Sequence, residues 1–155
     1  MTDPSSVRDA MNMVLQVGTV LGLDEPARSL YQETATALAE PPAVARRVFV
    51  PIWRKPLMAM GGDCFGSDML AQAGGQNVFG DRARYPEVTM EDVAAAAPEL
   101  VLLPDEPFRF REEHIAEFAD IAPARVIDGQ LLWWYGPRMP GAIGEMRRIV
   151  AEGAG

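Results

Sequence analysis

The feature that most constrains the fold is a run of four consecutive apolar residues, Leu-Val-Leu-Leu at 100–103, between Pro98 and Pro104. A strand with one face in water alternates apolar and polar residues, whereas a strand covered on both faces does not. The run therefore predicts a strand inside a sheet that has helices on both sides. Such sheets are mostly parallel, because helical crossovers join their strands.

Helical and strand-like segments alternate around this run. Helices are predicted at 6–22, from 24 to the prolines at 41 and 42, and at 63–73, 89–97, 112–118 and 140–151; strands are predicted at 47–53, 57–60, 77–79, 100–103 and 125–127. The sequence thus predicts an α/β fold, a single lobe with a central, mostly parallel sheet flanked by helices. Residues 1–42 form an N-terminal helical arm in this interpretation, and residues 43–155 form the lobe.

Size and charge narrow the classes of function. The 155 residues suffice for one compact domain. With 22 acidic and 14 basic residues the net charge is -8, which disfavours nucleic acid as a partner. The sequence contains no apolar stretch of about 18 residues and begins Met1-Thr2-Asp3-Pro4, without the pattern of an export signal. As given, the chain is expected to be cytoplasmic.

The usual signatures of catalysis are missing from the sequence. The glycine-rich segment 61–67 lacks the lysine of a phosphate loop, and one histidine, His114, excludes a two-histidine metal site within the chain. His114 lies in a polar segment and is predicted to be solvated. Cys64, at a predicted helix start, is either a thiol of lowered pKa or a semi-buried spectator; no basic partner is evident, which favours the spectator. We predict that the chain is not an enzyme.

Aromatic residues beside cations are the strongest candidates for binding. The segment Trp133-Trp134-Tyr135-Gly136-Pro137-Arg138 predicts a rigid turn that presents flat apolar faces and a fixed cation. At least one of its tryptophans is expected to pack in the core, and Trp134 or Tyr135 to face a ligand.

Tyr85, followed by Pro86, and Trp53, followed by Arg54 and Lys55, have the same character. For both aromatic residues the sequence leaves ligand contact and core packing open. Aromatic walls with a few cations suit a large, flat, partly anionic molecule such as a corrinoid, haem or a ferric siderophore. Residue spacing does not choose among these ligands.

One stretch carries a family resemblance. It contains Ala-Gly-Gly-Gln-Asn at 73–77, the pair Tyr85-Pro86, Val-Thr-Met-Glu at 88–91, and then Pro98 and Val101. In this order the motifs resemble the second lobe of the helical-backbone metal receptors, the substrate-binding proteins of ABC importers. The match runs from about 47 to 151 and is most similar to the cobalamin-binding branch.

The resemblance implies roles for individual residues. Tyr85, Trp134, Tyr135 and Arg138 would line the ligand cleft, and we add Phe65 and Trp53 to the expected ligand contacts. Glu91 is similar to the glutamate that docks onto an arginine of the ABC permease, and it equally suits the first turn of a helix, where the dipole favours a carboxylate. No built-in cofactor or metal is implied; the metal chelate, a corrinoid or a similar complex, is the ligand.

Members of that family are periplasmic or cell-surface proteins and have an earlier lobe, joined to the second by a long helix that the segment 2–7 resembles at its entry. The cleft lies between the lobes, so the missing N-terminal lobe is an expected partner. Without it, Val7, Met11, Val14 and Leu21 on the first helix would lack packing, which predicts a homo-oligomer. The alternative function is a stand-alone interaction or self-associating domain.

Overall fold

The computed structural model describes residues 3–153, which fold into helices around a parallel sheet. The helices are α1 (Val7–Leu21), α2 (Asp24–Ala39), α3 (Phe65–Gln72), α4 (Met90–Ala95), α5 (Gln130–Trp133) and α6 (Met139–Glu152), and a 3-10 helix spans Glu112–Phe118. The strands are β1 (Arg46–Phe49), β2 (Pro51–Trp53), β3 (Met58–Ala59), β4 (Gly75–Asn77), β5 (Leu100–Pro104) and β6 (Ala124–Ile127).

The main sheet has four strands in the order β4-β1-β5-β6, and every neighbouring pair is parallel. All five residues of β5 are buried, as the apolar run predicts. Leu100 and Leu102 point to a core shared with α1, α3 and α6, whereas Val101 and Leu103 point to a core near α4 and the 3-10 helix. The predicted fold class is therefore confirmed.

The predicted strand 47–53 is wrong in its length, because the chain changes partner in its middle. β1 belongs to the main sheet, while β2 forms a separate antiparallel pair with β3. Val50 lies between them and accepts a hydrogen bond from the backbone N–H of Met60, at 2.9 Å. Pro51 has no N–H to continue the ladder of the main sheet, which is why the strand leaves it here.

Three further elements differ from the prediction. β4 begins two residues before the predicted strand 77–79, the segment 112–118 is a 3-10 helix, and α5 occupies part of what was predicted to be a turn. Each is a short element whose identity depends on contacts with the rest of the chain.

The first turns of α1 pack against the lobe, which corrects the prediction of an unpacked apolar stripe. Val7 and Met11 are buried in the same core as the residues of α6, and the Val7 N–H donates to the Asp68 carboxylate at 2.7 Å. Only the far end of α1 is open, with Leu21 63% exposed and Val17 48% exposed. No helix of residues 3–153 has the length and apolarity needed to cross a bilayer.

His114 is buried, and the prediction that it is a solvated surface residue is wrong. Its ring lies between Phe108 and Phe110, with centroids 5.8 and 5.7 Å away, and Nδ1 accepts a hydrogen bond from the Arg111 N–H at 2.9 Å. The polar neighbours in sequence, among them Glu113, point to solvent. The imidazole thus caps the 3-10 helix from inside the core.

Candidate functional site

The strand order places the candidate site at the carboxyl edge of the sheet. From β1 the chain crosses by way of α3 to β4 on one side, and then returns to β5 on the other side of β1. The connections thus diverge between β1 and β5. In open parallel sheets ligands bind in the crevice outside the carboxyl ends of the strands at such a point.

A pocket of about 190 Å³ lies by the loops at this edge, and we call it the aromatic pocket. It brings together Phe65, Tyr85 and Tyr135, three of the residues predicted from sequence to contact a ligand. Its lining is Asp3, Pro4, Ser5, Asp63, Cys64, Phe65, Gly66, Arg84, Tyr85, Leu132, Trp133 and Tyr135.

Two segments joined through their backbones hold Tyr85 at the pocket. Gly61 N–H donates to the Arg84 carbonyl at 2.7 Å, and Gly62 N–H donates to the Arg82 carbonyl at 2.8 Å. A Cβ at Gly61 would lie 2.5 Å from both of those carbonyl oxygens, so the close approach requires glycine. The Gly61-Gly62 pair therefore allows the two backbone segments of the pocket to approach each other, and it is not a phosphate-binding loop.

Asp63 completes this arrangement by accepting a hydrogen bond from the Arg84 N–H. Arg84 has φ of 57°, a left-handed conformation that is uncommon for residues with a side chain. The carboxylate of Asp63 is thus one of the contacts that hold Arg84 in this conformation and aim the following tyrosine. Sequence analysis missed Asp63 and Arg84, because their importance arises from a contact between segments about twenty residues apart.

The aromatic rings of the pocket have both apolar faces and free edges. Phe65 is buried and makes an edge-to-face contact with Tyr135, with centroids 5.5 Å apart. Tyr135 and Tyr85 remain 41% and 42% exposed, so their rings are accessible from solvent. Burial, followed by the nearby Cys64, raises the pKa of the Tyr85 phenol, which therefore stays protonated as a hydrogen-bond donor at neutral pH.

Cys64 lies at the pocket wall, just before α3, and its Sγ–H donates to the Gly61 carbonyl at 3.4 Å. Burial, the largest cause, raises the pKa of the thiol. Of the two sequence interpretations, the semi-buried spectator is the one that the structure supports, because a protonated thiol is a poor nucleophile.

Trp133 forms the floor of the pocket, and it fits the expectation that one tryptophan packs in the core. Its indole Nε1–H donates to the Glu106 carbonyl at 2.7 Å, which links α5 to the loop after β5. Gly66 lies directly beneath the ring, since a Cβ there would come within 2.6 Å of Trp133 Cζ3.

Trp134 and Arg138 lie on the rim rather than in the pocket. Trp134 is 50% exposed, and the Arg138 guanidinium lies 5.9 Å from the centre of its ring. A carboxylate oxygen of Asp128 lies 3.6 Å from Arg138 Nη2. The cation predicted beside the aromatic turn is therefore present, and it is already paired with an acid.

Trp53 is separate from this pocket. It lies at the end of β2 and contacts Phe108 edge to face, with centroids 5.5 Å apart. The neighbouring Arg54 binds the carboxylate of Glu117, with Nη2 to Oε1 at 2.7 Å, and this hydrogen bond raises the pKa of the guanidinium. Because Phe108 follows β5, the contact lies by the loop after β5, and Trp53 is not among the residues that line the aromatic pocket.

Glu91 lies in the first turn of α4 and is exposed, as predicted. The helix begins with a capping box: Thr89 Oγ1 accepts from the Asp92 N–H at 3.1 Å, and the Asp92 carboxylate accepts from the Thr89 N–H at 2.9 Å. The cap is therefore formed by Thr89 and Asp92, and the Glu91 carboxylate is not part of it.

A second concavity, which we call the apolar groove, lies between α1 and α2. Its volume is about 630 Å³, and most of its lining is aliphatic: Met13, Val14, Val17, Gly18, Leu21, Leu23, Pro26, Ala27, Ser29, Leu30, Glu33, Gly136 and Pro137. Within residues 3–153, no cluster of three histidine, cysteine, aspartate or glutamate side chains is placed to hold a metal ion.

Several solved structures with a similar fold are periplasmic binding proteins. They include a possible iron-binding (periplasmic solute-binding) protein from Staphylococcus epidermidis, the periplasmic vitamin B12 binding protein BtuF of Vibrio cholerae and the periplasmic heme-binding protein RhuT from Roseiflexus. Their TM-scores are 0.80, 0.70 and 0.76, and their sequence identities are 20%, 16% and 19%. Neither the models of protein families nor the sequences of curated proteins give a match.

The three structures cover 94%, 97% and 99% of this chain, but the chain spans only 63%, 64% and 66% of theirs. The resemblance to the helical-backbone metal receptors is thus confirmed as a resemblance of fold. The chain corresponds to about two thirds of such a protein.

Proposed function

We propose that the chain is a non-catalytic binding module for a metal chelate, such as a corrinoid, haem or a ferric siderophore. The observation that carries the proposal is the aromatic pocket, which lies at the carboxyl edge of the sheet in a fold shared with iron-, haem- and vitamin B12-binding proteins. Flat, largely apolar chelates bind to exposed aromatic faces with a few polar groups around them.

Within this proposal, Tyr85, Tyr135 and Phe65 form the surface on which the chelate lies. Trp134 and Arg138 extend that surface at the rim, where both side chains are about half exposed. Trp53 contacts the ligand only if the chelate reaches across to the loop after β5, where Phe108 lies. A pocket of 190 Å³ encloses only part of such a molecule, so a further surface would complete the site.

That further surface is supplied, in this proposal, by an N-terminal lobe of the kind that the family resemblance implies. Glu91 then serves as a contact for the ABC permease, because its carboxylate is exposed and α4 is capped without it. Catalysis is not part of the proposal, since burial raises the pKa of both the Cys64 thiol and the Tyr85 phenol, which activates neither as a nucleophile.

The test is a titration of the chain with cyanocobalamin, haemin and ferrioxamine B, followed by quenching of tryptophan emission. A half-open site is expected to bind with a dissociation constant of about tens of micromolar or weaker. Tyr85→Leu and Tyr135→Leu should each weaken binding several-fold. Tyr31→Leu, which removes a ring from α2, is the matched control and should leave the affinity unchanged. If no chelate binds, or if the control weakens binding equally, the proposal is wrong.

The apolar groove favours a second candidate, self-association through α1 and α2. Val17 and Leu21, which line the groove, are 48% and 63% exposed, and apolar side chains grouped in this way commonly mark an interface. A second copy of the chain would cover them. Light scattering at high concentration should then give the mass of a dimer. Leu21→Glu should dissociate this dimer, whereas Gln16→Glu, which places the same charge on a polar face of α1, should not. A monomer at all concentrations would exclude this candidate.

A further inference from the structure

The charges around the aromatic residues define which chelates the site accepts, and this inference rests on the proposed function. The sequence predicts a few cations beside the aromatic rings, and hence a large, flat, partly anionic ligand. In the structure, Arg54 is bound by Glu117 and Arg138 faces Asp128, so both guanidinium groups are compensated by acids.

The aromatic pocket itself has an acidic balance. Its charged lining residues are Asp3, Asp63 and Arg84, which sum to one negative charge. The contact that fixes the Asp63 carboxylate comes from the backbone N–H of Arg84, a neutral group, so the hydrogen bond orients the charge without cancelling it. The net charge of the whole chain, -8, has the same sign and also disfavours the approach of anions.

Apart from the Arg84 guanidinium, the side chains able to donate hydrogen bonds in the pocket, among them the hydroxyls of Tyr85 and Tyr135, are neutral. The Tyr85 phenol is protonated, because burial raises its pKa, and the Tyr135 ring is equally accessible. Phenolic hydroxyls bind amide and hydroxamate oxygens well, whereas they do not offset the charge of a polyanion.

We propose that the site selects a neutral or cationic chelate, such as an amide-rimmed corrinoid or an iron hydroxamate, and rejects polyanionic catecholate complexes. Asp63 is the residue that sets this preference. Its carboxylate borders the space in which the chelate lies, and its position is determined by the turn that also carries Tyr85.

The experiment compares three probes: cyanocobalamin, which is neutral, ferrioxamine B, which carries one positive charge, and ferric enterobactin, which carries three negative charges. Cyanocobalamin and ferrioxamine B should each bind at least about tenfold more tightly than ferric enterobactin at low ionic strength. Added salt should strengthen the binding of ferric enterobactin, because it screens repulsion, and should leave cyanocobalamin unaffected.

Two variants separate the pocket from the whole-chain charge. Asp63→Asn removes the charge but keeps an oxygen that accepts from the Arg84 N–H. It should reduce the preference for cyanocobalamin and ferrioxamine B over ferric enterobactin by about threefold or more. Asp120→Asn makes the same change on an exposed turn before β6, at the opposite edge of the sheet. This variant should leave the preference among the three probes unchanged.

Tighter binding of ferric enterobactin than of the other two probes would overturn the inference, as would equal effects of the two variants. The proposed function survives either result, because a chelate still binds. If none of the three probes binds, the proposed function itself fails and this inference fails with it.

Discussion

Gly66 lines the aromatic pocket next to Trp133, and its substitution tests how closely that pocket is packed. It is the second residue of α3, where alanine would normally favour the helix by about 0.5–1 kcal/mol. Here a Cβ would lie 2.6 Å from Trp133 Cζ3, 2.9 Å from Met60 Sδ and 3.0 Å from the Leu132 carbonyl oxygen. The flexible Met60 side chain can move aside, but the backbone of Leu132 and the hydrogen-bonded indole cannot move freely.

The expected effect of Gly66→Ala follows from these opposing contributions. Overpacking of a buried site typically costs about 1–3 kcal/mol. Displacement of Trp133 would also stretch its 2.7 Å hydrogen bond to Glu106, which costs about 0.5–1.5 kcal/mol more. After subtraction of the helical gain, we expect a net loss of about 0.5–4 kcal/mol in the free energy of unfolding. For a chain of this size, that lowers Tm by about 1–16 °C.

Gly144→Ala is the matched control, since Gly144 lies within α6, is exposed and would have no atom within 4 Å of an added Cβ. This variant should raise the free energy of unfolding by about 0.5–1 kcal/mol. Urea denaturation followed by circular dichroism measures both. If Gly66→Ala stabilises the chain as much as Gly144→Ala does, the close packing of Trp133 over α3 is refuted.

Three other expectations follow from the caps and the titratable groups. Thr89→Ala should cost about 1 kcal/mol in urea denaturation through the lost cap, and Glu91→Ala clearly less; equal losses would show that Glu91 is part of the cap. Because burial raises the pKa of Cys64, its alkylation by iodoacetamide should still accelerate above pH 9, and a plateau by pH 8 would contradict this. The neighbouring hydroxyls of Ser6 and Ser5 lower the pKa of the Asp9 carboxyl, and the hydrogen bond from the Thr89 N–H lowers the pKa of Asp92. The stability that both carboxylates contribute is therefore present above the ordinary aspartate pKa and is lost as pH falls through the folded-state pKa. The urea concentration at the midpoint of unfolding should therefore fall as the pH drops below about 4. It should fall less steeply in Asp92→Asn.

Much of the fold is predictable from local sequence signals. The apolar run at β5 indicates a strand buried on both faces, Ser6 and Thr89 mark helix starts, and Gly22 marks a helix end with φ of 69°. Each of these signals acts within a few residues of itself. The family resemblance then identifies Tyr85 and Tyr135 as candidates, and the structure places both at one pocket; their role in binding stays a prediction.

The division of the chain into an arm, 1–42, and a lobe stays a prediction as well, although α1 shares a core with α3 and α6. The apolar stripe on α1 was visible in the sequence, but which part of it would be covered was not. Val7 and Met11 are buried because the start of α1 lies on α3, whereas Leu21 extends past that contact.

Tertiary structure alone decided the chemistry around the pocket. The surroundings of His114, the pairing of Arg138 with Asp128 and the contact of Asp63 with Arg84 all join residues whose neighbours in sequence indicate something else. Charge and burial are properties of the space around a side chain, and that space is filled by distant segments. The sequence by itself therefore determined the long helices, the buried strand β5 and the α/β class, while only the folded chain determined the short elements, which cations are neutralised and which polar groups are buried.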